Sequence, residues 1–246
     1  RKIVVQRPKR ILFDKLRFLK MRFFWNLLKL PLKLLPKKNY LKIRRFLLSK
    51  LIFFGYSNSL SRLDKRIIKF FNFQREGFFI EVGAADGMDQ SNTFLLERKY
   101  GWKGLLIEPR KEEYKVCKKI RKNSIVVNYA LSNLKDDGNR TLVEDTGLTS
   151  KITSKQEGMN ISEVKNISLS RLLKENKIDH VDIMSLDVEG YEFEVLEGYS
   201  SKSKVIDYLL VETINLQKFQ EYAEAKEWIY LGHWGSGDYL FRLKRD

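Results

Sequence analysis

The chain has 246 residues, enough for one α/β core of ordinary domain size plus an appendage. Its 47 Lys and Arg outnumber 31 Asp and Glu, but 22 of the basic residues fall within residues 1–75, where Asp14 and Asp64 are the only acids. The remainder is slightly acidic, which argues against nucleic acid as its substrate. One cysteine excludes an internal disulfide and, with only two histidines, a Cys/His zinc set.

In chain order, residues 1–58 are expected to form a basic amphipathic helical extension. Leu12, Leu16, Leu19, Phe23, Leu27 and Leu30 share one face at helical periodicity, and Arg10, Lys15, Arg17, Arg22 and Lys29 lie off it. Phe18, Met21, Phe24 and Trp25 widen the apolar surface. Pro31 and Pro36 break this helix before a second basic and apolar stretch, LKIRRFLLSKLIFF. No uncharged run reaches the roughly eighteen residues of a membrane span. Basic residues interrupt the apolar stretch too often for a signal peptide, and no small-residue cleavage site follows. A cytoplasmic protein lying peripherally on an anionic membrane is the expectation, with a helical cap packed on the domain as the alternative.

The domain, residues 59–246, opens with a helix expected over Ser59–Phe73, with Leu63, Ile67 and Phe71 on one face. FFIEVGAADG, residues 78–87, then joins a short apolar run to a glycine turn, and SNTFLLER continues at helical spacing. Strand, glycine turn and helix open a nucleotide-binding α/β unit. Glu81 is expected at a crevice, because a buried carboxylate needs donors, and Gly83 and Gly87 are expected to bring backbone close to a ligand. The order Gly83, Ala84, Ala85, Asp86, Gly87 departs from the dinucleotide spacing, and an acid there repels a phosphate. A phosphate-free cofactor with a cationic centre and a ribose diol fits better, namely S-adenosylmethionine.

The next strand, 104–107, ends in Glu108, 27 residues after Glu81, where an acid can accept from a ribose diol; Pro109 stops the strand. A helix at about 111–121 and a strand at 125–129 continue the alternation, so the fold class is α/β with a parallel doubly wound sheet. Cys117 reads as a packed helix-face residue. NRTLVED is a candidate extra strand, and TGLTSKITSKQEGMN reads as a polar loop over a substrate site. A strand at 181–186 delivers Asp187 to the carboxyl edge of the sheet, with Glu189 and Glu192 three apart on one face of the next helix. Glu192 and Glu194 also suit a helix N-terminus without any site role. A strand at 205–211 and the pair WIYLGHW and DYLFRL close the sheet as an antiparallel hairpin. Glu212 is a further acid on that edge. His180 precedes a strand and reads as a solvated loop residue. His233, beside Trp234, is a candidate general base or a structural histidine among aromatics.

The segments GFFIEVGAADG, QSNTFLLE, GWKGLLIEP, NYALSN and DVEGYEFEVLEG stand in order between about Gly55 and Leu243. Together they resemble the FkbM-type methyltransferases, a branch of the class I S-adenosylmethionine-dependent enzymes. The resemblance implies a mostly parallel seven-stranded Rossmann-like sheet with a closing antiparallel hairpin. It implies cofactor contacts from Glu81, Gly83, Ala84, Asp86, Gly87, Asn92, Glu108, Pro109, Asn128, Ala130 and Asp187. Asp187 and Glu189, with His233 as a further candidate, are the implied catalytic groups. Asp187 and Glu189 are also the oxygen ligands for a divalent cation such as Mg²⁺, if one is held. Ala85 stands where related sequences often carry Asn, and Glu81 where many carry Asp. The implied activity is O-methylation of a hydroxyl on a sugar, glycan or lipid-linked intermediate. The alternative is a non-catalytic, membrane-associated interaction module that keeps the fold.

Overall fold

The computed structural model describes residues 36–145, 150–153, 161–200, 203–235 and 237–245. The periodic face expected at residues 12–30 lies outside them. The described residues form two compact units that divide between Tyr56 and Ser57.

The first unit contains helix α1, Lys37–Phe53, which starts after Pro36. It ends in a Schellman motif: Tyr56 N–H donates to the Leu51 carbonyl and Gly55 N–H to that of Ile52, with Gly55 at φ +91°. No helix among the described residues is long and apolar enough to cross a membrane.

The second unit begins with a short 3₁₀ turn, Leu60–Arg62, followed by helix α2, Leu63–Phe70. The helix expected from Ser59 is therefore shorter than its pattern, because Ser61 and Arg62 take positive φ and break the helical path. From there strand and helix alternate: β1 Phe78–Val82, α3 Phe94–Tyr100, β2 Lys103–Ile107, α4 Lys111–Ile120 and β3 Ile125–Val127. After an inserted section come α5 Leu169–Glu175, β8 Val181–Leu186, α6 Glu192–Glu197, β9 Ile206–Glu212, α7 Leu216–Ala225, β10 Trp228–His233 and β11 Asp238–Leu243.

Seven strands form one sheet in the order β10-β11-β9-β8-β1-β2-β3. Strands β3, β2, β1, β8 and β9 run parallel, and β11 is antiparallel to both β9 and β10. The strand period of two divides the side chains between two faces. Ile80, Val82, Leu105, Ile107, Met184, Leu186 and Leu209 meet Leu172, Val195 and Phe219 of α5, α6 and α7. Phe79, Leu106, Ile183 and Leu210 meet Leu63 and Ile67 of α2, Leu96 of α3 and Cys117 of α4. Each such large side chain, once buried, contributes about 1.5–3 kcal/mol.

Between β3 and α5 the chain builds a second sheet. Its strands are β4 Ala130–Ser132, β5 Arg140–Asp145, β6 Ser150–Thr153 and β7 Ile161–Ser168, in the order β4-β7-β5-β6. NRTLVED is the strand β5. The stretch expected to be a polar loop is corrected at residues 150–153, which pair antiparallel with β5; its other residues lie outside those described. Ala130, Val143 and Val164 form a small core of this sheet.

Candidate active site

The carboxyl ends of β1, β2 and β8 meet at one edge, where an open α/β sheet binds ligands. Backbone hydrogen bonds tie the three tips together: Gly83 and Ala84 N–H donate to the Ile107 carbonyl, both at 3.1 Å, and Asp187 N–H to that of Val82 at 3.3 Å. Gly83 has φ +80°, and a Cβ there would come within 2.0 Å of the Asp187 carbonyl oxygen. The glycine is required by the contact between two strand ends.

A cleft of about 680 Å³, open mouth included, lies on this edge. Gly83 and Ala85 from the first turn, Glu108, Pro109 and Arg110 beyond β2, and Asp187, Val188, Glu189 and Tyr191 beyond β8 line it. Ile107, Tyr129, Ala130, Leu131 and Val143 supply apolar wall. Val143 belongs to β5, so the second sheet contributes to the site.

Glu108 is almost fully buried, and its carboxylate is fixed on both sides. Oε2 accepts from Ala85 N–H at 2.7 Å, and Oε1 accepts from the N–H and Nε of Arg110, both at 2.9 Å. A carboxylate offers about four lone-pair positions, which leaves capacity for a ligand hydroxyl. Asn128 supports this tip without lining the cleft; its Nδ2 donates to the Glu108 and Pro109 carbonyls, each at 2.8 Å.

On the opposite wall Asp187 follows Leu186, whose register partner is Val211, so Asp187 neighbours Glu212 across the parallel pair. Asp238 is paired with Glu212 in turn. Burial, the Glu212 and Glu189 carboxylates and a hydrogen bond with Glu212 push the Asp187 carboxyl up to about 8. Burial and Glu212 push Asp238 up to about 6, partly opposed by Arg66. Glu189, expected on a helix face with Glu192, sits instead at φ +53° in the turn after β8, because the helix begins only at Glu192. Glu192 turns back on that turn, accepting from Gly190 N–H at 2.8 Å, and burial raises its pKa.

Several residues expected at the cofactor lie elsewhere. Glu81 is corrected first: it finds its donors inside the protein, from Ser91 Oγ, Asn92 N–H, Thr93 Oγ1 and Arg121. Arg121 is fully buried and also donates to Glu97 at 2.7 Å, to the Gly87 carbonyl at 3.0 Å and to Thr93 Oγ1 at 2.7 Å. Its guanidinium lies over the Phe79 and Phe94 rings. Asn92 bridges Ser59 and Ser185, and Asp86 accepts from the N–H groups of Met88 and Asp89, closing its own turn. Ala84 packs in the core. At Gly87, φ +77°, a Cβ would strike Cys117 Sγ at 2.6 Å, so backbone conformation and helix packing both demand the glycine. His233 is exposed on β10 with its ring 5.3 Å from that of Tyr239, and has no part in the cleft. His180 is exposed beside Asp182.

Arg110, Tyr129, Leu131, Val143 and Tyr191 line the cleft without having been singled out. Tyr129, Leu131 and Tyr191 stand inside the segments NYALSN and DVEGYEFEVLEG, and Arg110 directly follows GWKGLLIEP, so sequence position was a signal for all four. Val143 carries no local signal. Among the described residues no group of three or more His, Cys, Asp or Glu is placed to hold a metal ion.

The methyltransferase FkbM domain family matches residues 81–236. Among solved structures the chain is similar to methyltransferase FkbM from Methylobacillus flagellatus, at 10% identity over 81% of this chain and 59% of that one, with a TM-score of 0.47. It is similar to a TehB-like SAM-dependent methyltransferase from Corynebacterium glutamicum, at 12% identity over 84% and 97%, TM-score 0.45. A human methyltransferase 10 domain containing protein is similar at 13% identity over 82% and 95%, TM-score 0.47. Curated protein sequences contain no match.

Proposed function

Because the chain belongs to the methyltransferase FkbM domain family, a family of S-adenosylmethionine-dependent enzymes, we propose that it methylates a hydroxyl of a sugar, glycan or lipid-linked acceptor. The observation that carries the cofactor reading is the chemistry of the cleft. Carboxylates stand on both walls, Glu108 on one and Asp187 with Glu189 on the other, over an apolar lining. That set suits a cationic cofactor with a ribose diol and repels a pyrophosphate.

When bound, S-adenosylmethionine supplies a methyl group already activated on a sulfonium. Glu108, held by Ala85 and Arg110, would accept from ribose hydroxyls. Ile107, Leu131 and Val143 would face the base. Asp187 and Glu189 orient the acceptor hydroxyl and take its proton. Asp187 keeps its proton near neutral pH, because burial and the nearby Glu212 and Glu189 carboxylates disfavour its charged form. The acceptor class rests on the family resemblance, and an uncharged hydroxyl agrees with a wall that already carries several acids.

Calorimetry of the full chain with S-adenosylmethionine and with NADH tests the cofactor, and transfer of a labelled methyl to a panel of sugars and lipid-linked sugars tests the acceptor. Binding of S-adenosylmethionine alone, with label in a base-stable ether, is the expected result. Cofactor binding with no transfer to any acceptor would favour an interaction module, and NADH binding would overturn the assignment.

A further inference from the structure

We propose that helix α1 docks on an anionic lipid surface through one face. From Asn39 to Phe53 the exposed residues are Asn39, Lys42, Ile43, Phe46, Lys50 and Phe53. At 100° per residue all six fall within an arc of about 100°. Phe46 is 62% exposed and Phe53 51%, and Phe54, just past the helix, is 58% exposed. Among the described residues, two phenylalanines and an isoleucine, Phe46, Phe53 and Ile43, are exposed on one stripe of the helix and form an apolar face.

Charge selects the occupant. The helix carries six Lys or Arg and no acid. Lys42 and Lys50 lie within the stripe, and the Lys50 ammonium stands 5.6 Å from the centre of the Phe46 ring. A second copy of the same face would bring lysine against lysine. An anionic bilayer satisfies both components: the rings enter the acyl boundary while the lysine stems run along them and the ammonium groups reach the head groups. At 17 residues the helix is too short to span, so it lies in the interface plane.

The test uses the full chain with vesicles of phosphatidylcholine alone or mixed with phosphatidylserine. Binding is expected only to the mixed vesicles. Lys42→Gln with Lys50→Gln should weaken it about tenfold at low salt. Phe46→Ser with Phe53→Ser should weaken it about tenfold at both low and high salt, because screening does not reach the inserted rings. Cys117 is the only cysteine and is buried, so Phe46→Cys can carry a polarity-sensitive fluorophore; its emission should shift to the blue on the mixed vesicles. Far-ultraviolet circular dichroism checks that each variant folds, and the labelled variant decides should the serine pair fail to fold. Undiminished binding in the paired variants, with no shift of the label, would place the contact in residues 1–35 and overturn the proposal. So would tighter binding to single-stranded RNA than to vesicles, or a dimer that the serine pair abolishes.

Discussion

At the residue scale the cleft separates two kinds of buried acid. Glu108 lines it with both oxygens fixed, whereas Glu81 is consumed by Ser91, Asn92, Thr93 and Arg121. Glu108→Ala should therefore weaken S-adenosylmethionine binding by about 1.5–3 kcal/mol in calorimetry. Glu81→Gln should instead lower stability while the surviving protein keeps its affinity. Asp187 behaves differently again. Its ordinary value of 3.8 is raised to about 8, so the folded state holds that proton more tightly than the unfolded chain. The stability tied to it is complete below about 4 and is lost as pH rises toward 8. Asp187→Asn removes the cost, and the variant should be about 1–3 kcal/mol more stable than the parent at pH 8 in urea titration. It should also lose turnover, with cofactor affinity within a few-fold. Because Asp187 must be ionised to accept a proton, activity should rise with pH up to about 8. Glu212→Gln removes the like charge and should move that limb to lower pH.

At the element scale, what could be read from the chain followed local pattern. The strand FFIEV declared itself because its apolar run is short and bounded by Gly77 and Gly83. The alternation of strands with amphipathic helices then implied a parallel sheet. Of the second sheet β5 was legible as NRTLVED, but β6 is four residues without an apolar alternation, and β7 buries Asn166 where a strand pattern calls for an apolar residue. Helix α2 was overextended because neither Ser61 nor Arg62 signals a positive φ. Arg121 was illegible for a different reason: nothing near it in the chain names Glu81 or Glu97, which are 40 and 24 residues away. Its role can be weighed directly. Arg121→Ala leaves two carboxylates buried without their cation and should cost about 3–5 kcal/mol in chemical denaturation. Adding Glu97→Gln should recover part of that loss, since it removes one of the stranded charges. Equal stability of Arg121→Ala and the parent would mean that water enters and replaces the guanidinium.

For the whole molecule, the described residues of the two large cores run from Leu63 to Leu243. Among the described residues, those lining the cleft fall between Val82 and Val195. Leu48 and Ile52 are the buried apolar residues described before Ser57, against about forty after it, so most of the free energy of folding is expected from the segment that starts at Ser57. A protein starting at Ser57 should melt cooperatively within a few degrees of the full chain and bind S-adenosylmethionine within about threefold of its affinity. It also sheds 17 of the chain's 47 basic residues with no acid except Asp14. Its residual charge is close to neutral, and attraction to anionic vesicles should disappear with the shed charge. Differential scanning calorimetry and vesicle sedimentation on the same preparation read the two consequences separately. A truncated protein that melts far below the full chain, together with a full chain that ignores anionic vesicles at low salt, would make residues 1–56 a structural cap. Retained stability with lost vesicle binding would leave those residues the task of bringing the enzyme to its acceptor.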